Sequence, residues 1–169
     1  MNVVIVGCGR VGAVLAGAFD EAGHRVTIID TQTLAFDRLP STFKGNAIRG
    51  NGTDEDVLRR AGTEGADLFL ALTEGDNRNV MAAQVALEEL GATKVIAKIN
   101  DPVRARAYAD LGMPTLCRTN LIADVVLALF GLPTSGAPGV MAPTGQHPGG
   151  EAHHDAPPTG GGHVATTEA

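Results

Sequence analysis

Apolar residues along this chain gather in short runs divided by glycine and polar clusters, and the runs alternate between two periods. Asn2-Val3-Val4-Ile5-Val6, Val26-Thr27-Ile28-Ile29-Asp30, Ala66 to Leu72 and Lys94 to Ile99 are near-continuous apolar stretches. Runs of that length fit strands buried on both faces. Two further strands are expected over Thr42–Gly50 and Pro114–Arg118. Between these runs apolar residues recur at helical spacing: from the glycine cluster at Gly12 to Gly23, from Thr53 or Asp54 to Ala61, and from Asn77 to Leu90, where Gly91 stops the helix. A short helical turn fits Leu34–Leu39. Asn100-Asp101-Pro102 opens another helix, with proline at a first-turn position where its missing N–H costs nothing, and that helix ends near Gly112. Asn120 is placed to cap a last helix over Leu121–Phe130.

Strictly alternating strands and helices predict an α/β fold, a Rossmann-like doubly wound parallel sheet of six strands. Right-handed crossovers then gather the strand C-termini at one edge, where ligands bind at the point of strand-order reversal. Composition changes beyond Phe130: residues 131–169 contain no Lys, Arg, Tyr, Phe or Trp. Such a segment cannot bury enough apolar surface to offset chain entropy, so the organisation expected is a folded domain over 1–130 and a disordered, low-complexity tail over 131–169. Its histidines, His147, His153, His154 and His163, are scattered and do not make a metal site.

Candidate chemistry sits at the start. The first strand leads into Gly7-Cys8-Gly9-Arg10-Val11-Gly12, a helix follows, and the second strand ends in Asp30, 18 residues after Gly12. Gly7 permits the sharp turn, Gly9 lets a pyrophosphate approach the main chain, and Gly12 lets the helix pack on the sheet. The helix N-terminus offers free N–H groups and its positive dipole end to phosphate. Asp30 suits ribose hydroxyls and would repel a 2′-phosphate, which disfavours NADP. Cys8 lies within the turn, where a helix N-terminus lowers a thiol pKa, although a small side chain that fits the turn is the simpler role.

A net charge of −6 over 169 residues argues against sequence-independent nucleic-acid binding. No stretch has the length and apolarity of a membrane span, and residues 1–6 read as a strand rather than a leader. Two isolated cysteines, Cys8 and Cys117, fit a reduced, cytoplasmic setting.

Taken in order, the Gly7–Gly12 turn, Asp30, Gly50-Asn51-Gly52-Thr53, Thr73-x-x-Asp76-x-x-Asn79 and Ala97-Lys98-Ile99-Asn100-Asp101-Pro102 resemble the N-terminal domain of bacterial TrkA-type potassium-uptake regulators, also called the RCK or KTN domain. The resemblance covers about residues 1–130. It implies a cytosolic dimer or ring of Rossmann domains that binds NAD(H) or ATP/ADP and gates a membrane-embedded potassium transporter, placing the chain peripherally at the inner face of the membrane. It further implies that Arg10 reaches toward phosphate, that Asn51, Gly52 and Thr53 lie beside the adenine, that Thr73, Asp76 and Asn79 line the cleft, and that Lys98 is a further phosphate contact. Two residues depart from the family pattern. Position 51 is Asn where Asp is usual, and Lys98 replaces a planar arginine fork with a point charge. Full-length members carry a second ligand-binding domain where this chain has only its tail, so no second ligand is expected. The last helix is apolar nearly all round, leaving Asp124 as its polar residue, and must be buried. In the family the equivalent helix crosses onto a partner, so a dimer is expected.

Two other functions compete with the regulatory one. A small NAD-dependent oxidoreductase needs a substrate-holding region and an acid–base pair, yet His24, the sole histidine of the folded part, starts the second strand, away from the cofactor edge. A ligand-poor module that dimerises with a longer homologue is the other.

Overall fold

The computed structural model describes residues 1–134 and the backbone of Val140 and Met141. Its parallel strands are β1 (Asn2–Val6), β2 (Arg25–Asp30), β3 (Asn46–Arg49), β4 (Leu68–Ala71), β5 (Val95–Ile99) and β6 (Thr115–Cys117). They lie side by side in the order β3-β2-β1-β4-β5-β6, the doubly wound arrangement expected. A two-residue strand, β7 (Val140–Met141), pairs antiparallel with β6 at the edge. The rest of residues 135–169, including the four tail histidines, lies outside the described residues, and with it most of the expected disordered tail.

Strands β1, β2, β4 and β5 read as near-continuous apolar runs because both of their faces are covered, whereas β3 at the edge is mostly exposed. Along β1, Val3 and Ile5 face one core and Val4 and Val6 the other, and all four are buried. The first core is closed by Ala13 and Ala16 of α1 (Arg10–Glu21) and Ala35 of a 3-10 turn, Thr33–Arg38. The second is closed by Leu58 of α2 (Glu55–Arg60), Val80 and Ala83 of α3 (Asp76–Gln84), and Ala105 and Ala109 of α4 (Pro102–Asp110). Small alanines on the helices let them sit close to the branched residues of the sheet.

Helix starts follow the capping rules. The Asp54 carboxylate accepts from the Val57 N–H at 3.2 Å, so Asp54 rather than Thr53 caps α2. Asp101 accepts from the N–H groups of Val103 and Arg104, with Pro102 next in line. Elsewhere the sequence reading needs adjustment. The third strand is shorter than Thr42–Gly50, because β2 pairs with it only over Asn46–Arg49. The helix expected over Asn77–Leu90 opens after Gln84 into a π-helical turn, Val85–Glu89, in which the Leu90 N–H reaches the Val85 carbonyl at 3.1 Å. That wider turn carries Ala86 and Leu90 into the core. The last helix, α5 (Arg118–Leu129), grows directly out of β6, so Asn120 is an internal residue and not its cap. None of its side chains is buried within this chain, so the burial expected of so apolar a helix is not supplied by its own sheet.

Helix α1 packs tightly on the turn after β1. A Cβ on Gly12 would run into the Gly7 carbonyl oxygen, and main chain on both sides leaves nothing flexible to yield. Gly12→Ala should therefore lower stability by about 1–3 kcal/mol, the cost of overpacking. Urea unfolding checks this, and an unchanged midpoint would mean that α1 does not sit where described.

Candidate functional site

β1 runs into a turn that only glycine adopts comfortably, Gly7 at φ +104°, whose N–H is tied to the Ile29 carbonyl of β2 at 2.7 Å. The chain then enters α1 through Gly9, an N-cap with no side-chain bond to the helix, so the first amides of α1 lack intrahelical partners. Space above Gly9 is open: a Cβ there meets nothing within 4 Å. β1 and β4 are sheet neighbours whose helices go to opposite faces, so a crevice opens between their C-terminal ends.

A cleft of about 220 Å³ occupies that crevice, lined among others by Gly7, Gly9, Asp30, Asn51, Gly52, Thr53 and Thr73. These residues come from the ends of β1, β2, β3 and β4, and they were all anticipated from sequence. Asp30 ties two of the loops together: its carboxylate accepts from the Cys8 N–H at 2.8 Å and from the Gln32 N–H at 2.9 Å. A carboxylate has about four acceptor sites, so capacity remains for a pair of hydroxyls. Asn51 folds back to accept from the N–H and hydroxyl of Thr53, at 3.2 and 3.0 Å, which fixes the turn opposite Asp30. Arg10 and Val11 are exposed on the first turn of α1, while Gly12 is buried against Gly7.

Three anticipated residues are not part of this cleft's lining. Asn79 is fully buried on α3. Its side-chain oxygen accepts from the Thr73 N–H and hydroxyl at 2.8 and 2.7 Å, and its amide donates to the carbonyls of Thr73 and Lys98 at 2.9 and 2.8 Å. It holds the loop after β4 against β5. Asp76 accepts from the backbone and side-chain amide of Asn100 at 3.0 and 2.9 Å, clamping the loop after β4 to the loop after β5. Lys98 is only 6% exposed, and its ammonium lies 3.5 Å from Glu74. These three hold the wall in place: Asn79 and Lys98 are buried behind it, and Asp76 lines the neighbouring, more open cavity rather than this one.

The sequence reading missed Thr31, Gln32, Glu74 and Arg78, all of which line the cleft. Arg78 had no signal beyond its place in the first turn of a helix that follows a strand. Cys8 takes the simpler of its two expected roles, a small side chain that fits the turn. It is fully buried, its thiol donates to the Ala35 carbonyl at 3.2 Å, and its pKa is raised by burial and by the Asp30 charge, Arg38 opposing them. The nearby helix N-terminus does not activate it.

The TrkA-N domain model matches residues 3–119. The chain is 46% identical over 145 residues to "Trk system potassium uptake protein TrkA" of Streptomyces coelicolor, covering 86% of this chain and 65% of that relative. It thus spans just under two thirds of that relative's length. Among solved structures, the TrkA-N domain of inner membrane protein ybaL from Escherichia coli superposes with a TM-score of 0.67 at 20% identity, over 76% of this chain and 95% of that one. The Kef C-terminal domain of Shewanella denitrificans in its AMP-bound form gives 0.61 at 22% identity, over 78% and 82%. The GsuK channel bound to NAD gives 0.59 at 18% identity, over 75% and 23%. At such identities the structural likenesses establish the fold.

Two tests follow from the geometry. Asn79→Leu leaves the Thr73 N–H and the Lys98 carbonyl buried without partners, and should cost roughly 2–4 kcal/mol in urea unfolding; a loss below about 1 kcal/mol would contradict the clamp. A raised Cys8 pKa means that the folded state holds the thiol proton more tightly. The stability it contributes is complete below the ordinary thiol pKa, about 9.0, and declines as pH climbs from there through the folded value. In the native protein Cys8 should react with a thiol reagent only as fast as the protein opens, and rapid reaction at neutral pH would contradict its burial.

Proposed function

The chain belongs to the TrkA-N domain family, and from that premise we propose that it is a nucleotide-binding regulatory domain of a potassium-uptake system. The observation that carries the proposal is the convergence of Gly7, Gly9, Asp30 and the Asn51–Thr53 turn on one cleft at the reversal of strand order. An adenine nucleotide, NAD(H) or ATP/ADP, places its ribose hydroxyls on the free acceptor sites of Asp30 and its adenine beside Asn51-Gly52-Thr53. Its phosphates lie over Gly9 against the open amides of α1, with Arg10 at hand in the first helical turn. Names of the relatives support the potassium-uptake context, and the bound AMP and NAD of the fold neighbours support the ligand class.

Regulation needs a second body for the nucleotide to move, and α5 supplies the contact. Ile122, Val125 and Leu129 are 61%, 62% and 78% exposed, and Phe130 at its end is 77% exposed. An exposed apolar helix face of this extent marks an association surface. We infer that it is covered by the same helix of a second copy, giving a homodimer that acts on a membrane transporter from the cytoplasmic side. A nucleotide then shifts the balance of dimer arrangements by its difference in affinity for them. Among the described residues no helix is long and apolar enough to cross a membrane. His24 lies at the start of β2, by the Met1 amino group at 3.4 Å and at the edge of the sheet away from the cleft, which gives the oxidoreductase reading no acid–base partner there.

Gly9→Asp tests the site directly. Gly9 has an extended backbone and free space for a side chain, so the variant should fold normally. Placing a carboxylate where phosphate lies should weaken ADP or NAD(H) binding by about 100-fold, or roughly 2.7 kcal/mol, in isothermal titration; undiminished affinity would place the site elsewhere. Val125→Glu should turn the dimer into a monomer in analytical ultracentrifugation, and a wild-type chain that sediments as a monomer would contradict the role given to α5.

A further inference from the structure

The crevice continues past the cleft toward β5. A second, more open cavity lies there, bounded by Asp76, Asn77, Asn100 and Arg104, and two residues line both cavities: Glu74 and Arg78. They form the partition. Arg78 folds over the loop, its guanidinium so close to Gly75 that a Cβ there would meet Nε at 2.9 Å. Neighbouring cations are engaged: Lys98 and Arg118 lie 3.5 and 3.9 Å from Glu74, and Arg104 lies 4.0 Å from Asp76. Arg78 has no hydrogen-bond or ion-pair partner among the described residues. It stands in the first turn of α3, where the helix dipole disfavours a cation. A cation in that position, lining a cleft and unpaired, is one that an anion in the cleft would relieve.

We propose that Arg78 sets the length of ligand this cleft accepts, favouring an adenosine 5′-diphosphate over a dinucleotide. This rests on the nucleotide cleft proposed above. A ligand that ends in phosphate fills the first cavity and finishes on the free guanidinium, a charge-assisted contact with no competing partner to displace. A dinucleotide extends across both halves of such a crevice. To do so here it must lift Arg78 off Gly75 and pass the Glu74 carboxylate, and it brings no terminal phosphate to compensate.

The test is titration of the 169-residue chain with ADP and with NAD, in the wild type, Arg78→Ala and Arg78→Lys. Arg78 is exposed and unpaired among the described residues, so both variants should melt with the wild type. The wild type should bind ADP at least about tenfold more tightly than NAD, and Arg78→Ala should weaken ADP by about tenfold. NAD should bind Arg78→Ala as well as or better than it binds the wild type, and Arg78→Lys should recover part of the loss for ADP. Tighter binding of NAD than ADP to the wild type overturns the proposal. So does an unchanged ADP affinity in Arg78→Ala, or an equal loss for both ligands. Failure of both ligands to bind the wild type overturns the cleft reading itself, an outcome distinct from any of these.

Discussion

The close approach of Gly12 to the Gly7 carbonyl is the constraint on which the rest of this molecule depends. It seats the first turn of α1 directly over the end of β1, with main chain against main chain and no side chain between them. Because α1 is fixed there, its unpaired amides face the crevice between β1 and β4 rather than solvent at large. The turn that makes this possible needs the left-handed backbone of Gly7, and the Ile29 carbonyl anchors the Gly7 N–H to the neighbouring strand. Any side chain at position 12 separates helix from strand, and the cleft goes with it.

Around that contact the loops are held by hydrogen bonds from side chain to main chain. Asp30 binds the glycine turn and the segment after β2 through two amides, and Asn79 binds the loop after β4 to β5 through four bonds. Asp76 does the same between the loops after β4 and β5. A wall assembled this way is organised before any ligand arrives, so little ordering remains to oppose binding. Among these ties Asp30 alone also lines the cleft between β1 and β4, which joins the shape of the glycine turn to whatever occupies its free acceptor sites.

The centre of the sheet was legible in the sequence because β1, β2, β4 and β5 are covered on both faces and so read as unbroken apolar runs. Its glycine turn was legible because Gly7 and Gly12 have backbone reasons to be glycine. The family resemblance also named Asp76, Asn79 and Lys98, but as residues facing the cleft. Sequence spacing places a residue at the end of a strand or the start of a helix; it does not say on which side of the loop the side chain falls. Asn79 turns inward because two main-chain groups there need a partner, and Lys98 because its strand is buried on both faces. Arg78 escaped notice for the opposite reason, since an arginine in a first helical turn looks like surface until a cavity is found beside it. The exposure of α5 is the same lesson on a larger scale: its composition demands burial, and a single chain does not provide it.

In the function proposed here, an adenine nucleotide binds in the crevice at the ends of β1 and β4. Amide-resolved NMR titration of the protein with ADP tests it most directly. Saturable shifts are expected, confined to Gly7–Gly12, Asp30–Gln32, Gly50–Thr53 and the Thr73–Arg78 loop. Shifts that instead gather at the opposite edge of the sheet, around His24, Lys44 and Arg60, or no shifts at any nucleotide concentration, would contradict it.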